Sequence, residues 1–189
     1  METLIVYGTF FGATESTAKE IARVLGEQGF KVKVADLKQE KIRDISGYDL
    51  VVLGSGMRMG NWTDETERFA KQFQRALSGK KVALFISSLK PIEDKMGKPD
   101  HVARIRRVGL EDKISKYNLN PILTGCFGGV IDFNKVGFLM RKAMEMGYKS
   151  ALVQYGFKET QPGVYDLHDW DEIRSWSKVL AQKAQAKQD

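Results

Sequence analysis

The segment LIVYGTFFGATE, residues 4–15, joins a short apolar run to the beginning of a helical pattern. Its first part, Leu4 to Tyr7, is continuously apolar and ends at Gly8, which is typical of a strand buried on both faces. Apolar residues then recur at intervals of three and four from Ala18 to Leu25, and this spacing predicts an amphipathic helix. A buried strand followed directly by a helix is the repeating unit of a parallel α/β sheet.

The same alternation of strands and helices continues along the chain. Further strands are predicted at 30–34, 50–53, 82–86 and 122–130. Helices are predicted after an N-cap at Thr63 and then near Ala103, at 134–146 and at 170–185. The pattern predicts an α/β fold in which a doubly wound, five-stranded parallel sheet carries helices on both faces. No linker or repeat interrupts it, so we expect a single domain over residues 1–189.

Three segments fit the simple repeat less well. Residues 90–120 are polar and basic, and we interpret them as an insertion that contains one helix. Residues 133–149 form an extra helical segment. The polar tail from Ala181 to Asp189 is expected to fray.

Length and composition exclude several classes of protein. Of the 189 residues 42% are hydrophobic and 29% charged, so the chain is neither a disordered polymer nor a membrane bundle. A single cysteine and the lack of a signal-peptide pattern predict a cytoplasmic protein without an internal disulfide. The net charge of +6 favours an acidic partner or peripheral contact with an anionic membrane surface. No nucleic-acid-binding motif accompanies that charge, so nucleic acid is not predicted as a partner.

The turn after the first strand is a candidate anion site, because ligands of doubly wound sheets bind beyond the carboxyl ends of the strands. It reads Thr9-Phe10-Phe11-Gly12-Ala13-Thr14 and opens a helix, whose N-terminus offers backbone N–H groups. The turn contains no lysine or arginine, which excludes a P-loop, and the dinucleotide fingerprint G-x-G-x-x-G is also absent. From the residues alone two interpretations remain: a neutral site for a phosphomonoester, or an ordinary turn capped by a threonine.

The loop after the third strand combines glycines with apolar, aromatic and basic residues. It reads GSGMRMGNW, residues 54–62, and its candidate binding residues are Ser55, Gly56, Met57, Arg58, Asn61 and Trp62. Glycines allow close backbone approach to a flat ligand, and methionine and tryptophan side chains pack on aromatic rings. The alternative is a structural turn in which Trp62 packs as a hydrophobic staple before the next helix. After the fourth strand, the short segment Ser87, Ser88 and Leu89 either hydrogen-bonds the edge of a ligand or caps the following turn.

These loops together carry a family resemblance. The first resembles the flavodoxin phosphate signature [ST]-x-T-G-x-T, but Phe11 stands where the family usually has threonine, so one hydroxyl donor is lost. The loop at 54–62 resembles more closely the flavodoxin-like subgroup that contains menaquinone-dependent protoporphyrinogen oxidase. The resemblance extends over most of the chain, including the Asp169-Trp170 pair before the last helix.

The resemblance implies noncovalent FMN, with the phosphate on residues 9–14 and the ring between the 55–62 loop and the segment that starts at Ser87. Trp62 would then cover one face of the ring. Arg58 would lie near a ring that gains negative charge on reduction, which suggests that Arg58 raises the flavin potential. The flavin would supply the electron chemistry, so no side chain is predicted to be an acid–base catalyst.

Several chemically reactive residues are interpreted as structural. Asp36 lies where dinucleotide enzymes place a ribose-binding acid, but without their glycine fingerprint it reads as a surface or capping residue. His101 and His168 are far apart in the sequence and lack metal-ligand spacing, so both are predicted to lie on the surface and no metal site is expected. Cys126 lies in an apolar strand and is predicted to be a core residue.

Residues 136–144 contain an apolar stripe at helical spacing, Val136, Leu139, Met140, Ala143 and Met144, flanked by lysine and arginine. The simpler interpretation is a helix that packs on the sheet. The alternative is a basic amphipathic surface for a membrane, a quinone-bearing complex or a partner subunit.

Three functions follow from the resemblance. The first is a flavodoxin-like carrier that shuttles electrons between redox proteins, such as a reductase or ferredoxin-like donor and an acceptor that the sequence does not identify. The second is an FMN-dependent oxidase that removes hydride equivalents from a porphyrinogen and passes them to a quinone. The third is a binding module that has lost FMN.

Overall fold

The computed structural model describes residues 1–186. Its β-strands are β1 (Glu2–Gly8), β2 (Lys31–Asp36), β3 (Leu50–Gly56), β4 (Lys81–Ser88), β5 (Pro121–Gly128), β6 (Val130–Asp132), β7 (Lys158–Gln161) and β8 (Val164–Asp166). Its α-helices are α1 (Ala13–Glu27), α2 (Asp64–Gln72), α3 (Gln74–Leu77), α4 (Lys90–Lys95), α5 (Pro99–Arg106), α6 (Asp112–Lys116), α7 (Phe138–Met144), α8 (Ser150–Gln154) and α9 (Trp170–Gln185).

The first five strands form one parallel sheet in the order β2-β1-β3-β4-β5. The chain leaves β1 toward one edge and then crosses back to build the other side, so the strand order switches between β1 and β3. Successive residues of β1 enter opposite layers: Leu4 and Val6 belong to one apolar cluster, and Ile5 and Tyr7 to the other. This alternation confirms the prediction of a doubly wound sheet that is covered on both faces.

Different helices cover the two faces. The layer that contains Ile5 is closed by α1 and α9, through side chains such as Ile21 and Leu180. The layer that contains Leu4 includes Phe69 from α2 and also Leu110. The N-cap predicted at Thr63 is confirmed, since its side chain accepts a hydrogen bond from the Thr66 backbone N–H.

A small second sheet was not anticipated from the sequence. Strands β6, β8 and β7 pair antiparallel in that order, and their apolar side chains share a third cluster with residues such as Ile92 and Leu152. The predicted fifth strand therefore ends at Gly128 rather than continuing to residue 130. A Cβ atom at Gly128 would lie 1.8 Å from the Leu167 carbonyl oxygen, so only glycine allows the two sheets to meet there.

Residues 90–120 form the crossover that connects β4 to β5. The helix predicted near Ala103 is present as α5, but the segment holds more than that one helix, because α4 and α6 also lie here, with a π-helical turn at Arg107–Glu111. Gly97, with a φ of 66°, ends the first of these helices, and Pro99 opens the second.

The helix predicted at 170–185 is confirmed as α9, which ends at Gln185. The fraying predicted from Ala181 onward is wrong for the first part of the tail, because residues 181–185 are helical and both Ala181 and Ala184 are buried. Residues 187–189 lie outside the described residues. Within residues 1–186, none of the helices combines the length and the apolar character that crossing a bilayer requires.

Candidate functional site

A cavity lies at the carboxyl ends of β1, β3 and β4, where the strand order switches. It brings together most of the candidate residues, namely Thr9, Phe10, Phe11, Ala13, Thr14, Gly56, Met57, Arg58, Ser87, Ser88 and Leu89. It does not include Gly12, Ser55, Asn61 or Trp62 among its lining residues. Segments distant in sequence therefore meet because parallel strands end at one edge of the sheet.

The turn after β1 has the geometry of an anion site. Gly12 adopts a left-handed φ of 90° as the N-cap of α1, and no side chain caps this helix. Its backbone N–H donates to Thr9 Oγ1 at 2.9 Å, which fixes the turn. Thr14 Oγ1 is buried and has no hydrogen-bond partner within residues 1–186. Phe11 stands where the flavodoxin signature usually has a threonine. It lines the cavity wall and offers no hydroxyl donor there.

The loop after β3 is held by a tight backbone bridge. The N–H and carbonyl groups of Arg58 and Asn61 bond reciprocally, at 3.0 Å each, across Met59 and Gly60, which both have positive φ. The bridge turns Arg58 toward the cavity, where its guanidinium carbon lies 5.9 Å from the centroid of the Phe10 ring. Asn61 is exposed and supplies backbone to this turn rather than a side chain to the cavity.

Two candidates from this loop have structural roles. Ser55 is fully buried; its hydroxyl donates to the Gly56 carbonyl at 3.0 Å and accepts from the Thr63 backbone N–H at 3.1 Å. Trp62 is also buried, with Nε1 donating to the Gly109 carbonyl at 2.8 Å and its ring stacked on that of Tyr117. This packing is incompatible with the predicted position of Trp62 over a ligand ring, because the indole already fills the core beneath the sheet.

The serines after β4 differ in their bonding. Ser88 Oγ donates to the Phe127 carbonyl at 3.2 Å and accepts from the Lys90 backbone N–H at 3.2 Å, so it caps the turn. Ser87 Oγ is buried at the cavity and has no partner in the described part of the chain. Burying a hydroxyl without a partner costs about 1–3 kcal/mol, so such groups usually mark a water or ligand position.

The remaining wall of the cavity was not predicted from the sequence. It is formed by residues 129–132 and by Val136, Met140, Met144 and Tyr148 on the helical segment that follows. Val136, Met140 and Met144 belong to the apolar stripe, and Tyr148 follows at the same spacing, so the stripe was the sequence signal for this wall. The interpretation that this helix packs on the sheet is wrong, because α7 contains no buried residue and instead forms one side of the cavity.

A buried carboxylate anchors this wall. The Tyr148 hydroxyl donates to Glu93 Oε1, and burial together with this carboxylate raises the pKa of Tyr148 above its usual value. Glu93 is itself almost fully buried, and its other oxygen lies 3.5 Å from Lys98 Nζ and 3.3 Å from His101 Nδ1. The side chain of Glu93 on α4 therefore joins this helix to the cavity wall through its hydrogen bond with Tyr148.

The histidines occupy different environments. His101 is exposed, as predicted, but the side chain of His168 is only 2% exposed, so its predicted surface position is wrong. The His168 ring stacks on Trp170, and its nitrogens face a carboxylate oxygen of Asp166 and, at 3.2 Å, the Ala13 carbonyl oxygen. The latter contact ties the segment before α9 to the first turn of α1.

The other residues interpreted as structural are confirmed in that role. Asp36 accepts hydrogen bonds from the Lys38 backbone N–H at 2.8 Å and from Gln39 Nε2 at 3.1 Å, so it caps the turn after β2. Cys126 is buried, and this burial raises the pKa of its thiol.

The site therefore offers a helix N-terminus without a side-chain cap, two unpartnered buried hydroxyls and a largely apolar wall. This donor set suits a ligand with an anionic end, which the turn at residues 9–14 would receive, and a flat apolar body. A flavin nucleotide has this composition, so the residues present fit the group.

This chain is similar to several proteins that are named protoporphyrinogen IX dehydrogenase (quinone). The enzyme from Escherichia coli (strain K12) is 29% identical over 89 residues, a match that spans 47% of this chain and 49% of the bacterial enzyme. The chain thus spans about half the length of that relative. The enzyme from Leishmania major is 25% identical over 180 residues, which cover 94% of this chain and 74% of that protein.

The fold is shared with solved flavodoxins. A short-chain flavodoxin associated with a bacterial microcompartment superposes with a TM-score of 0.58 at 15% identity, over 98% of this chain and 99% of its own. At this identity the likeness shows the fold alone. The flavodoxin domain family matches residues 4–154, most of the chain, and a flavin cofactor and electron transfer are typical of that family. By this match the protein belongs to the flavodoxin domain family.

Proposed function

We propose that the chain binds FMN noncovalently in this cavity and transfers electrons through it. The observation that carries the proposal is the pair of buried, unpartnered hydroxyls that line the cavity, Thr14 Oγ1 in the first turn of α1 and Ser87 Oγ near the end of β4. Each is costly without a partner, each lies at the edge of the sheet where ligands of doubly wound folds bind, and a flavin is the typical cofactor of the family.

The residues would divide the work of binding between them. The turn at residues 9–14 would hold the phosphate through backbone N–H groups and the hydroxyls of Thr9 and Thr14. Gly56, Met57 and Arg58 would border the ring on one side, and the segment from Ser87 to Leu89 on the other. When bound, FMN supplies the ability to accept and release one or two electrons, while the chain sets its potential by hydrogen bonds, packing and charge.

A second candidate function is the oxidation of a small molecule, with a quinone as the electron acceptor. The observation that favours it is the wall formed by Val136, Met140 and Met144, which adds an apolar compartment beside the proposed flavin site. The similar proteins from Escherichia coli and Leishmania major are named for protoporphyrinogen IX and quinone. Both molecules have large flat or apolar parts, which such a compartment would accept.

The binding proposal is tested by the visible spectrum of the purified protein and by titration of the flavin-free protein with FMN. We expect a yellow protein that releases FMN, or a colourless one that takes FMN up. Riboflavin, which lacks the phosphate, should bind at least tenfold more weakly, because the turn at residues 9–14 then has no anion to bind. A protein that refuses FMN would favour a binding module without flavin and would contradict the proposal.

The two redox functions are separated by their electron partners. An FMN-loaded carrier should be reduced by ferredoxin- or flavin-dependent reductases and should be inactive toward porphyrinogen. The enzyme should instead oxidise protoporphyrinogen IX only when a quinone is added. Met140→Lys, which places a charge in the apolar wall but leaves the phosphate turn intact, should impair quinone turnover more than reduction by a protein donor.

A further inference from the structure

The helical segment from Phe138 to Gln154 has an apolar outer face that nothing in the structure covers. Residues 138–144 and 150–154 are α-helical and are joined by a π-helical turn at Glu145–Lys149. One side of the segment, with Met140, Met144 and Tyr148, lines the cavity. The opposite side carries Phe138, Leu139, Met146 and Val153, which we name the outer apolar face. Their exposed fractions are 68%, 82%, 88% and 65%, in that order.

Helical spacing explains why the exposed side chains of α7 share one face. At about 100° per residue, positions 138, 139 and 142 fall within roughly a third of the helix circumference, on the side away from Met140 and Met144. Met146 lies within the π-helical turn and Val153 lies beyond it, and both are also strongly exposed. Five large apolar residues in residues 1–186 are more than 60% exposed, and four of them belong to the outer apolar face, so the exposure is concentrated rather than scattered. Concentrated apolar exposure marks an interaction surface, whereas single exposed apolar side chains are ordinary.

The charges beside this face that have no ion-pair partner in residues 1–186 are positive. Lys142 and Lys149 lie at positions between the apolar residues, and Lys142 Nζ lies 4.6 Å from the centroid of the Phe138 ring. Neither lysine forms an ion pair within residues 1–186, whereas Arg141 is paired with Glu145 at 3.0 Å on the flank. The surface therefore combines exposed apolar side chains with cations that have no protein counter-ion.

We propose that the outer apolar face docks peripherally on an anionic lipid bilayer. A helix that lies in the bilayer interface buries its apolar side chains among the acyl chains while its lysines reach the phosphate groups. Each lysine near an anionic surface contributes about 1 kcal/mol. A second copy of this chain fits less well, because a two-fold contact pairs the same patch on both copies and would enclose four unpaired lysines without a counter-ion from this face.

Flotation of the full-length chain with lipid vesicles tests the proposal. The vesicles are phosphatidylcholine alone or with roughly a quarter of phosphatidylglycerol, and the salt is about 50 mM or about 500 mM. We expect about tenfold more protein to float with the anionic vesicles at low salt than with the neutral ones, and a severalfold loss at high salt. Binding should not require FMN, so it is measured with and without added FMN; the proposal therefore stands or falls separately from the proposed function.

Variants locate the surface. Leu139→Glu combined with Met146→Glu should abolish flotation, while both positions are so exposed that the fold and FMN binding should be retained. Lys142→Glu should weaken flotation mainly at low salt. The matched control is Val179→Glu, which changes an apolar residue that is 40% exposed on α9, outside the outer apolar face, and should float like the unmodified chain.

Three results would overturn the proposal. The first is an unmodified chain that stays in solution with anionic vesicles at low salt. The second is a double variant that floats as well as the unmodified chain. The third is a dimer, detected by sedimentation equilibrium without lipid, that the double variant converts to monomer, because the face would then be an interface between two copies.

Discussion

The hydroxyl groups of Thr14 and Ser87 show how single residues define the candidate site. Both are buried at the cavity and lack a partner in residues 1–186, whereas the neighbouring Ser55 and Ser88 are fully bonded within the protein. The sequence presents all four as similar small polar residues at strand ends or in the turn that follows a strand. Their roles differ because of the fold. Backbone carbonyl groups lie within hydrogen-bond distance of Ser55 and Ser88, whereas Thr14 and Ser87 face the cavity.

Thr14→Val should weaken FMN binding without destabilising the flavin-free protein. A hydrogen bond to a charged group contributes about 1.5–3 kcal/mol, so the FMN dissociation constant should rise roughly tenfold to a hundredfold. Without FMN the substitution removes a buried hydroxyl that has no partner, so the unfolding free energy should be unchanged or higher. Flavin fluorescence titration and chemical denaturation measure the two effects.

Thr3→Val is the matched control for this prediction. Thr3 Oγ1 is also buried without a partner, but it lies near the opposite end of β1 and does not line the cavity. This variant should bind FMN like the unmodified chain. Equal losses of affinity in both variants would show that Thr14 acts through the stability of the sheet and not through the ligand.

Arg58→Ala should lower the two-electron reduction potential of bound FMN. Arg58 faces the cavity from an exposed loop, where a single charge contributes about 1 kcal/mol, equivalent to roughly 20 mV for two electrons. Redox titration measures this shift, and Arg75→Ala, at an exposed arginine of α3 that does not line the cavity, should leave the potential unchanged. An unaltered potential in Arg58→Ala would exclude electrostatic tuning by this residue.

At the scale of elements, the cavity wall depends on how the segment around α7 is fastened. Helix α7 buries none of its own residues, so its position relies on the contacts that follow it, above all the bond from Tyr148 to Glu93. The apolar stripe predicted the helix but not the hydrogen bond from Tyr148 to Glu93 that attaches it to the rest of the protein. Attachment required α4, which lies about fifty residues earlier in the chain.

Tyr148→Phe should loosen this wall and change the alkaline stability of the protein. Loss of the bond to the buried Glu93 should cost about 1–3 kcal/mol of unfolding free energy. Because the fold raises the pKa of Tyr148, this residue contributes stability below the usual tyrosine pKa of about 10, and that contribution is lost as the pH rises further. The variant should therefore lose stability less steeply above about pH 10.

Denaturation at several pH values checks the Tyr148 prediction. Tyr155→Phe is the control, since Tyr155 is half-buried at the end of α8 and its hydroxyl makes no hydrogen bond among the described residues. Identical alkaline slopes in the unmodified chain and in Tyr148→Phe would contradict the assigned role.

At the scale of the whole molecule, the first and last helices are joined by a charged cluster. Glu20 on α1 accepts hydrogen bonds from Arg23 at 2.9 Å and from Arg174 on α9 at 2.5 Å. The bond from Arg23, with the further contribution of Arg174, lowers the pKa of Glu20 to about 2, although partial burial opposes the shift. A lowered pKa means that Glu20 contributes stability at pH values above its ordinary pKa of 4.5 and that this contribution is lost as the pH falls toward 2.

Glu20→Gln should therefore destabilise the protein at neutral pH and flatten its acid unfolding profile. We expect a loss of about 1 kcal/mol, because both arginines are partly exposed and solvent screens the interaction. Acid titration followed by circular dichroism measures the profile. Glu111→Gln, at an exposed glutamate without an ion pair in residues 1–186, should retain the steep profile. If Glu20→Gln also retains it, the cluster does not join the two helices energetically.

Much of the fold followed from local patterns. The apolar runs at Leu4–Tyr7 and Val82–Ile86 are buried, and they predicted strands of a parallel sheet because only such strands are apolar on both faces. The turn at residues 9–14 predicted an anion site because the end of a strand and the beginning of a helix can both be recognised from neighbouring residues in the sequence. The sheet order then brought it beside Arg58 and Ser87, as the general geometry of such sheets requires.

The sequence by itself determined the sheet, its two helical layers and the loops that meet at its switch point, because periodicity and turn residues are local properties. Only the tertiary structure decided that Trp62 fills the core, that His168 is buried and that β6, β7 and β8 form a second sheet. These outcomes depend on residues far apart in the chain, such as Gly109 for Trp62 and Ala13 for His168. The exposure of the outer apolar face was likewise decided by the tertiary structure. The sequence shows the helical spacing of its residues, but only the fold shows that the cavity lies on the other side of the helix.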